Sequence, residues 1–440
     1  MEVLVKTGQF LLSISILVIL HEFGHFMFAK IFKTRVEKFY LFFNPWFSLF
    51  KVKKGETEYG MGWLPLGGYV KISGMIDESM DKEQMKKPPQ SYEFRSKKSW
   101  QRLLIMLGGV LVNFITALVI YSAILYVWGE QYLPNKNVEH GIMVDSLAYD
   151  MGLRNGDKIV SLDRHEIDDF YSIVPDIVLE DVKTIQIERG GEQMEIPVPE
   201  TLIPQLLKTT GFIDVRIPFF IGGFAKDSPA KKAGFEFNDK LIAINGNTVN
   251  FFDEFKDTLS HYKNSEVQIT ALRGEDTVSY FVLVPETGLI GVAPVGSLKE
   301  LFVLEKIEYS FMASVPAGID KGIETFGSYL KQLKLIFSPK TEAYKSLGGF
   351  ITIGKIFPGT WDWQAFWNLT AFLSIILAIM NVLPIPALDG GHVMFLLYEM
   401  VTGRKPSDKF LEYAQIAGMI ILLALLLYAN GNDIFKLFNK

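Results

Sequence analysis

Four stretches of this chain are apolar over lengths that match a lipid bilayer, and that constrains the fold more than any other feature. A hydrocarbon core of about 30 Å asks for roughly 20 apolar residues per helix. Windows of this kind run over Val3–Phe28, Leu103–Trp128, Phe366–Leu383 and Ala414–Ala429. The first lacks the basic start and small-residue cleavage site of a removable signal, so it is expected to stay as a membrane helix. Across 440 residues the chain is 49% hydrophobic yet 21% charged. That is too apolar for an ordinary soluble enzyme and too charged for a membrane-only transporter, which leaves a membrane protein with sizeable soluble domains. A net charge of −5 offers no basic field for nucleic acid. Without cysteine there are no disulfides, and thiol-based metal or nucleophile chemistry is excluded.

Orientation follows from the flanks. Lys and Arg are dense between Lys30 and Lys98, as in "KVKK" and "RSKK", and Arg404, Lys405 and Lys409 lie between the third and fourth windows. Positive loops stay cytoplasmic. Both termini and the segment of about 235 residues between windows two and three are therefore expected outside, with room there for more than one domain.

That outer segment contains a repeat at an offset of 82, with Asp145–Phe170 lying over Asp227–Phe252. Each copy reads as a short helix ending at glycine (Gly152, Gly234), a polar turn, and a β-branched strand after Asp157 or Asp239. The run from Ser228 to Gly246 resembles bacterial PDZ domains, which bind peptides by adding a strand to an open sheet edge. Spacers or size filters with empty grooves are the equal alternative.

One apolar window carries ionisable groups. "HEFGH" places His21 and His25 four residues apart, hence on one helix face, with Glu22 beside them. Two imidazoles so spaced hold one zinc, and the glutamate then serves as general base towards an activated water. Ionisable side chains at membrane depth cost several kcal/mol, so they usually serve a function there. A catalytic zinc wants a third protein ligand. Glu37, Glu56 and Glu58 sit in a basic, strand-like loop and are poor candidates. Asp389, in "NVLPIPALDGGH" just past an apolar helix broken by Pro384 and Pro386, is the better one. His392 reads as a group behind the ligands or, preferably, as an ordinary helix-facing histidine.

"HEFGH", "GGVLVN" (Gly108–Asn113), "NxxPxPxLDGGH" and the tandem repeat together resemble the site-2 protease family, in its bacterial regulator-of-sigma-E protease branch, over nearly the whole chain. The resemblance implies His21, His25 and Asp389 as Zn²⁺ ligands, Glu22 as catalytic base, and Asn381, Pro384 and Pro386 as substrate-site residues. Gly109 and Asn113 match the family's small-residue motif in the second span, where close helix packing alone explains the glycine. Tyr59–Met75 reads as a hairpin and resembles the family's membrane re-entrant β-loop. Its strand at Gly67, Gly68, Tyr69, Val70 and Lys71 is the expected edge that holds an unwound substrate. Ile307–Phe337 reads as an amphipathic helix on the outer membrane surface.

The expected fold class is thus an α-helical membrane protein with four transmembrane helices, a membrane-associated β-hairpin loop and two tandem PDZ domains. The expected divisions are 1–29, 30–100, 101–128, 129–210 (first PDZ), 211–294 (second PDZ), 295–360, 361–384, 385–411, 412–430 and 431–440. The expected activity is zinc-dependent proteolysis, in the bacterial inner membrane, of single-span membrane proteins. By resemblance these are anti-sigma factors already trimmed outside, and also remnant signal peptides. Peptide termini or substrate ectodomains are the expected partners of the PDZ grooves. A membrane-anchored protease of soluble proteins and a non-enzymatic PDZ scaffold are the competing readings. The second leaves His21, Glu22, His25 and Asp389 unexplained.

Overall fold

A computed structural model describes residues 1–65, 67–75, 88–207, 209, 211–296, 298–339 and 341–438. They form two compact units, one of residues 1–129, 308–337 and 344–440, the other of 130–307 and 338–343. The expected loop over 30–100 falls partly outside the described residues, at 66 and 76–87.

The first unit is helical. Its long helices are α1 (Glu2–Ile31), α2 (Ser99–Trp128), α3 (Phe311–Ile336), α5 (Trp363–Val382) and α7 (Asp408–Phe438), with the shorter α4 (Phe350–Ile356) and α6 (Asp389–Thr402) between them. Among the described residues four, namely α1, α2, α5 and α7, are long and apolar enough to cross a membrane. They cover the four sequence windows, except that α5 ends at Val382, one residue short of the third window's end at Leu383, and each begins ahead of its window. Their ends follow local chemistry. Asp362 caps α5 by accepting from the Ala365 N–H at 3.0 Å, and the helix stops at Val382 because Pro384 and Pro386 cannot extend it.

Helix α3 departs from expectation. It does not stand apart on a surface but follows α2 in the opposite direction, with Phe311 against Tyr126 and Phe326 against Phe114. The cause is a line of small residues, Ser314, Gly318 and Gly322, all buried. A Cβ on Gly318 would lie 2.4 Å from the Ser122 backbone nitrogen, so only glycine permits this approach.

Between α1 and α2 lies a four-stranded sheet of β1 (Val36–Leu41), β2 (Phe50–Lys54), β3 (Thr57–Met61) and β4 (Tyr69–Ile72), in the order β2-β3-β1-β4. The expected hairpin of β3 with β4 does not form. Both instead pair with β1, β3 in parallel and β4 antiparallel. The reason lies in β1, whose Val36 and Tyr40 are buried and claim the centre of the sheet. Strand β4 therefore ends the sheet, with Val70 opposite Phe39 on its paired side.

The second unit holds two copies of one architecture, each with its own core. In the first, strands run in the order 192–197, 184–189, 158–162, 165–166; in the second, 276–283, 266–273, 240–244, 247–248. Each adds a separate strand pair, 142–144 with 213–215 and 221–224 with 292–294. Because Phe212, Ile213 and Val215 belong to the first core and Phe219 opens the second, the seam lies a few residues beyond 210.

A buried fork repeats in both copies. Arg189 donates to both oxygens of Asp157 at 2.7 Å and to the Gly152 carbonyl at 2.8 Å. Arg273 does the same to Asp239 at 2.8 Å and to the Gly234 carbonyl at 2.9 Å. Burial pushes the Asp239 carboxyl up, but the Arg273 fork and the Glu236 N–H outweigh it and hold the group below the usual carboxylate range. A depressed carboxylate stabilises the fold above its unfolded pKa of about 4 and loses that contribution as pH falls further. Asp239→Asn is expected to cost about 2–3 kcal/mol, less than a fully buried pair, because Arg273 keeps 31% of its side chain exposed. It should also flatten the fall in stability below about pH 4. Chemical denaturation at pH 7 and pH 3 measures both effects.

Candidate metal centre

The centre is built by close backbone contact between α1 and α2. A Cβ on Gly24 would lie 2.2 Å from the Gly108 carbonyl oxygen, and one on Gly108 would lie 2.6 Å from the Gly24 oxygen. The two helices therefore touch main chain to main chain. Beside that contact Gly109 leaves room for both imidazoles, since its Cβ would come within 2.6 Å of His21 Cε1 and of His25 Nε2. Close packing and site geometry are thus the same feature of this glycine.

A sharp reversal between α5 and α6 brings in the carboxylate. A Cβ on Gly390 would lie 2.2 Å from the Val382 oxygen, and one on Gly391 would lie 2.5 Å from the Pro386 Cα. The glycine pair after Asp389 is what lets α6 fold back against the end of α5. At its other end α6 is tied to α2, where Glu399 accepts from Arg102 and, at 3.0 Å, from Ser99. Asp389 stands in the first turn of α6, where the helix dipole favours a negative charge.

Three atoms converge. His21 Nε2 and His25 Nε2 are 3.2 Å apart, and Asp389 Oδ2 lies 3.2 Å from the first and 3.3 Å from the second. A tetrahedral ion with bonds of about 2.0 Å has ligand-to-ligand edges of about 3.3 Å, so this triangle fits zinc and leaves the fourth position open. Asp389 Oδ2 is buried with no hydrogen-bond partner, a costly state for a carboxylate oxygen that a cation would relieve. His25 Nδ1 lies 2.8 Å from the Ile105 carbonyl. A carbonyl can only accept, so Nδ1 carries the proton and Nε2 presents its lone pair to the centre.

The other sequence candidates are distributed around this point. Glu22 lines a cavity of about 370 Å³ together with Gly68, Tyr69, Val70, Lys71 and Ala387. A Cβ on Gly68 would lie 2.8 Å from Val18 of α1, so this glycine lets β4 lie against that helix. Gly67 has φ of 144° and turns the chain into the strand. Asn381 is in the last turn of α5, and Pro384 and Pro386 lie in the reversal; none of the three lines this cavity, which Ala387 reaches. His392 does line it. Its signal was present in the sequence, three residues after Asp389 and hence on the same face of α6. Glu58 and Glu37 are engaged in the sheet, accepting from Tyr40 at 2.7 Å and Ser73 at 2.6 Å.

The helix contact can be tested within α1. Gly24→Ala meets backbone and is expected to lower stability by about 1–3 kcal/mol. Gly8→Ala has nothing within 4 Å and is expected to be neutral or to stabilise by up to about 1 kcal/mol through helix propensity. Thermal unfolding in detergent compares them, and equal behaviour would show that the α1–α2 contact is not tight.

The profile of Peptidase family M50 matches residues 9–425. A Campylobacter jejuni protein given the provisional name zinc metalloprotease is 30% identical over 98% of this chain and 93% of its own length. A Rickettsia conorii protein with the same provisional name is 28% identical over 98% of both chains. The regulator of sigma E protease of Haemophilus influenzae is 27% identical over 99% of this chain and 100% of its own. With a match across nearly its whole length, the chain belongs to peptidase family M50, the site-2 proteases, and is a metalloprotease.

Proposed function

We propose that this protein is an intramembrane zinc protease of the bacterial inner membrane that cuts single-span membrane proteins within or beside their membrane helices. The observation that carries this reading is the triangle of His21, His25 and Asp389, two donors from the apolar helix α1 and one from the reversal after the apolar helix α5. Zinc held there would polarise the scissile carbonyl and acidify a water. Glu22, in the adjoining cavity, takes that water's proton and returns it to the departing amine. The two imidazoles are fixed by α2 and the carboxylate by the α5–α6 reversal, so the three donors need little reorganisation.

A peptide bond inside a helix is shielded by its own hydrogen bonds, so the substrate must be extended before it is cut. Strand β4 ends its sheet beside Glu22, which supports main-chain pairing of an unwound substrate with Gly67–Lys71. Asn381, Pro384 and Pro386 are the second group of proposed substrate contacts. The paired modules over 130–307 are read as PDZ domains on the outer side, which either exclude bulky ectodomains or take up peptide termini. Anti-sigma factors already trimmed outside are the substrate class that the family resemblance implies, with remnant signal peptides as a second; one relative carries the name regulator of sigma E protease.

Glu22→Gln is expected to keep zinc at one ion per chain while turnover falls at least about 100-fold, because the amide keeps the shape but accepts no proton. Asp389→Ala is expected to lose zinc. Elemental analysis beside cleavage of a reconstituted single-span substrate reads both, and turnover by Glu22→Gln near the wild-type rate would remove Glu22 as the base.

The strand is tested by proline. Successive residues point their N–H groups to opposite edges, so of Tyr69→Pro and Val70→Pro one disturbs pairing with β1 and the other only the outer edge. The outer-edge variant is expected to keep zinc and lose cleavage, whereas Val70→Thr retains both. Full cleavage by both proline variants would place the substrate clamp elsewhere.

A further inference from the structure

Helix α2 meets the proposed ligands with three residues on one face, four apart: Ile105, Gly109 and Asn113. The first fixes His25 and the second makes space. Asn113 is fully buried in an apolar helix and approaches the other imidazole, its side-chain amide lying 3.3 Å from His21 Nδ1. Its Oδ1 is buried and finds no hydrogen-bond partner. Its backbone carbonyl is satisfied separately, accepting from Ser374 at 2.7 Å. A carboxamide held in an apolar helix with one unmet polar atom needs a role, because the unmet atom alone costs about 1–3 kcal/mol.

The tautomer of His21 supplies that role. If the Asn113 amide donates to Nδ1, the ring proton must sit on Nε2, which then has no lone pair for an ion. With Nε2 as ligand, Nδ1 carries the proton and requires an acceptor. Turning the carboxamide half a turn about its last torsion presents Oδ1 to Nδ1, moves the NH2 to the place the oxygen held, and leaves the ring in the form that binds metal, so it is the tautomer of His21 that decides the orientation. Asn113 Oδ1 would then do for His21 what the Ile105 carbonyl does for His25. We propose that Asn113 is a positioning residue of the metal centre, accepting the Nδ1–H of His21 and thereby holding Nε2 as a metal ligand. This rests on the reading of His21 as a zinc ligand given above.

The test is zinc affinity of the full-length protein in detergent, measured by competition with a chromophoric chelator, alongside thermal unfolding of the metal-free form. Asn113→Leu keeps volume but offers no acceptor, and its zinc dissociation constant is expected to rise about 10–100-fold, the usual effect of losing a group that orients a ligand. Asn113→Asp restores an acceptor and is expected to bind within about threefold of wild type, as carboxylate–histidine pairs do at other zinc sites. Ser374→Ala removes the bond to the backbone of Asn113 without touching His21, and is expected to leave zinc affinity unchanged. Affinity retained in Asn113→Leu overturns the proposal. So does equal loss in Asn113→Leu and Asn113→Asp, since a purely structural role does not distinguish them. A wild-type protein that holds no zinc counts instead against the metal reading on which this inference stands.

Discussion

The site depends on two helices touching through their backbones. In lipid there is no gain from hiding one apolar surface against another, so helix pairs are held by close packing and by polar contacts. Gly24 and Gly108 remove the side chains that would keep α1 and α2 apart. Only at that separation can a main-chain carbonyl of α2 reach the ring of His25. Helix α2 then extends the same role outward, holding α6 through Arg102 and Glu399 and carrying α3 along its far half. Every element that contributes to the triangle is tied to α2 or packed on a helix that is.

His21 and His25 were legible in the sequence because imidazoles at helical spacing in an apolar run have few inexpensive explanations. Asp389 was legible by the same logic of depth. The support behind them was not. The Ile105 carbonyl is main chain and carries no sequence signal. Gly109 is explained equally well by packing, and only the folded arrangement shows that its missing side chain would strike both rings. Sheet order was hidden for another reason. Periodicity states which face of a strand is buried but not which strand lies beside it, so two strands near in sequence read as a hairpin although β1 runs between them.

The repeat was clearer, since it needed only the chain compared with itself. Asp157 and Asp239 stand at the same place in both copies, and the structure supplies their partners, Arg189 and Arg273, which the aligned segment did not include. In each copy the arginine also satisfies the carbonyl at the end of the short helix. One side chain thus pins strand, turn and helix end together, which explains why the aspartate and the glycine recur as a set.

Asp389 lies more than 360 residues beyond His25, after α2, the outer modules and α5 in the chain. During synthesis α1 and α2 are complete, and the outer modules can fold, before the reversal between α5 and α6 has been made. A growing chain therefore carries two imidazoles with no third donor through most of its manufacture. The proposed metal centre closes only when the α5–α6 reversal is made, so on that reading a half-built molecule lacks the third donor of its metal. The distance in sequence thus makes the proposed centre one of the last features of the chain to be completed.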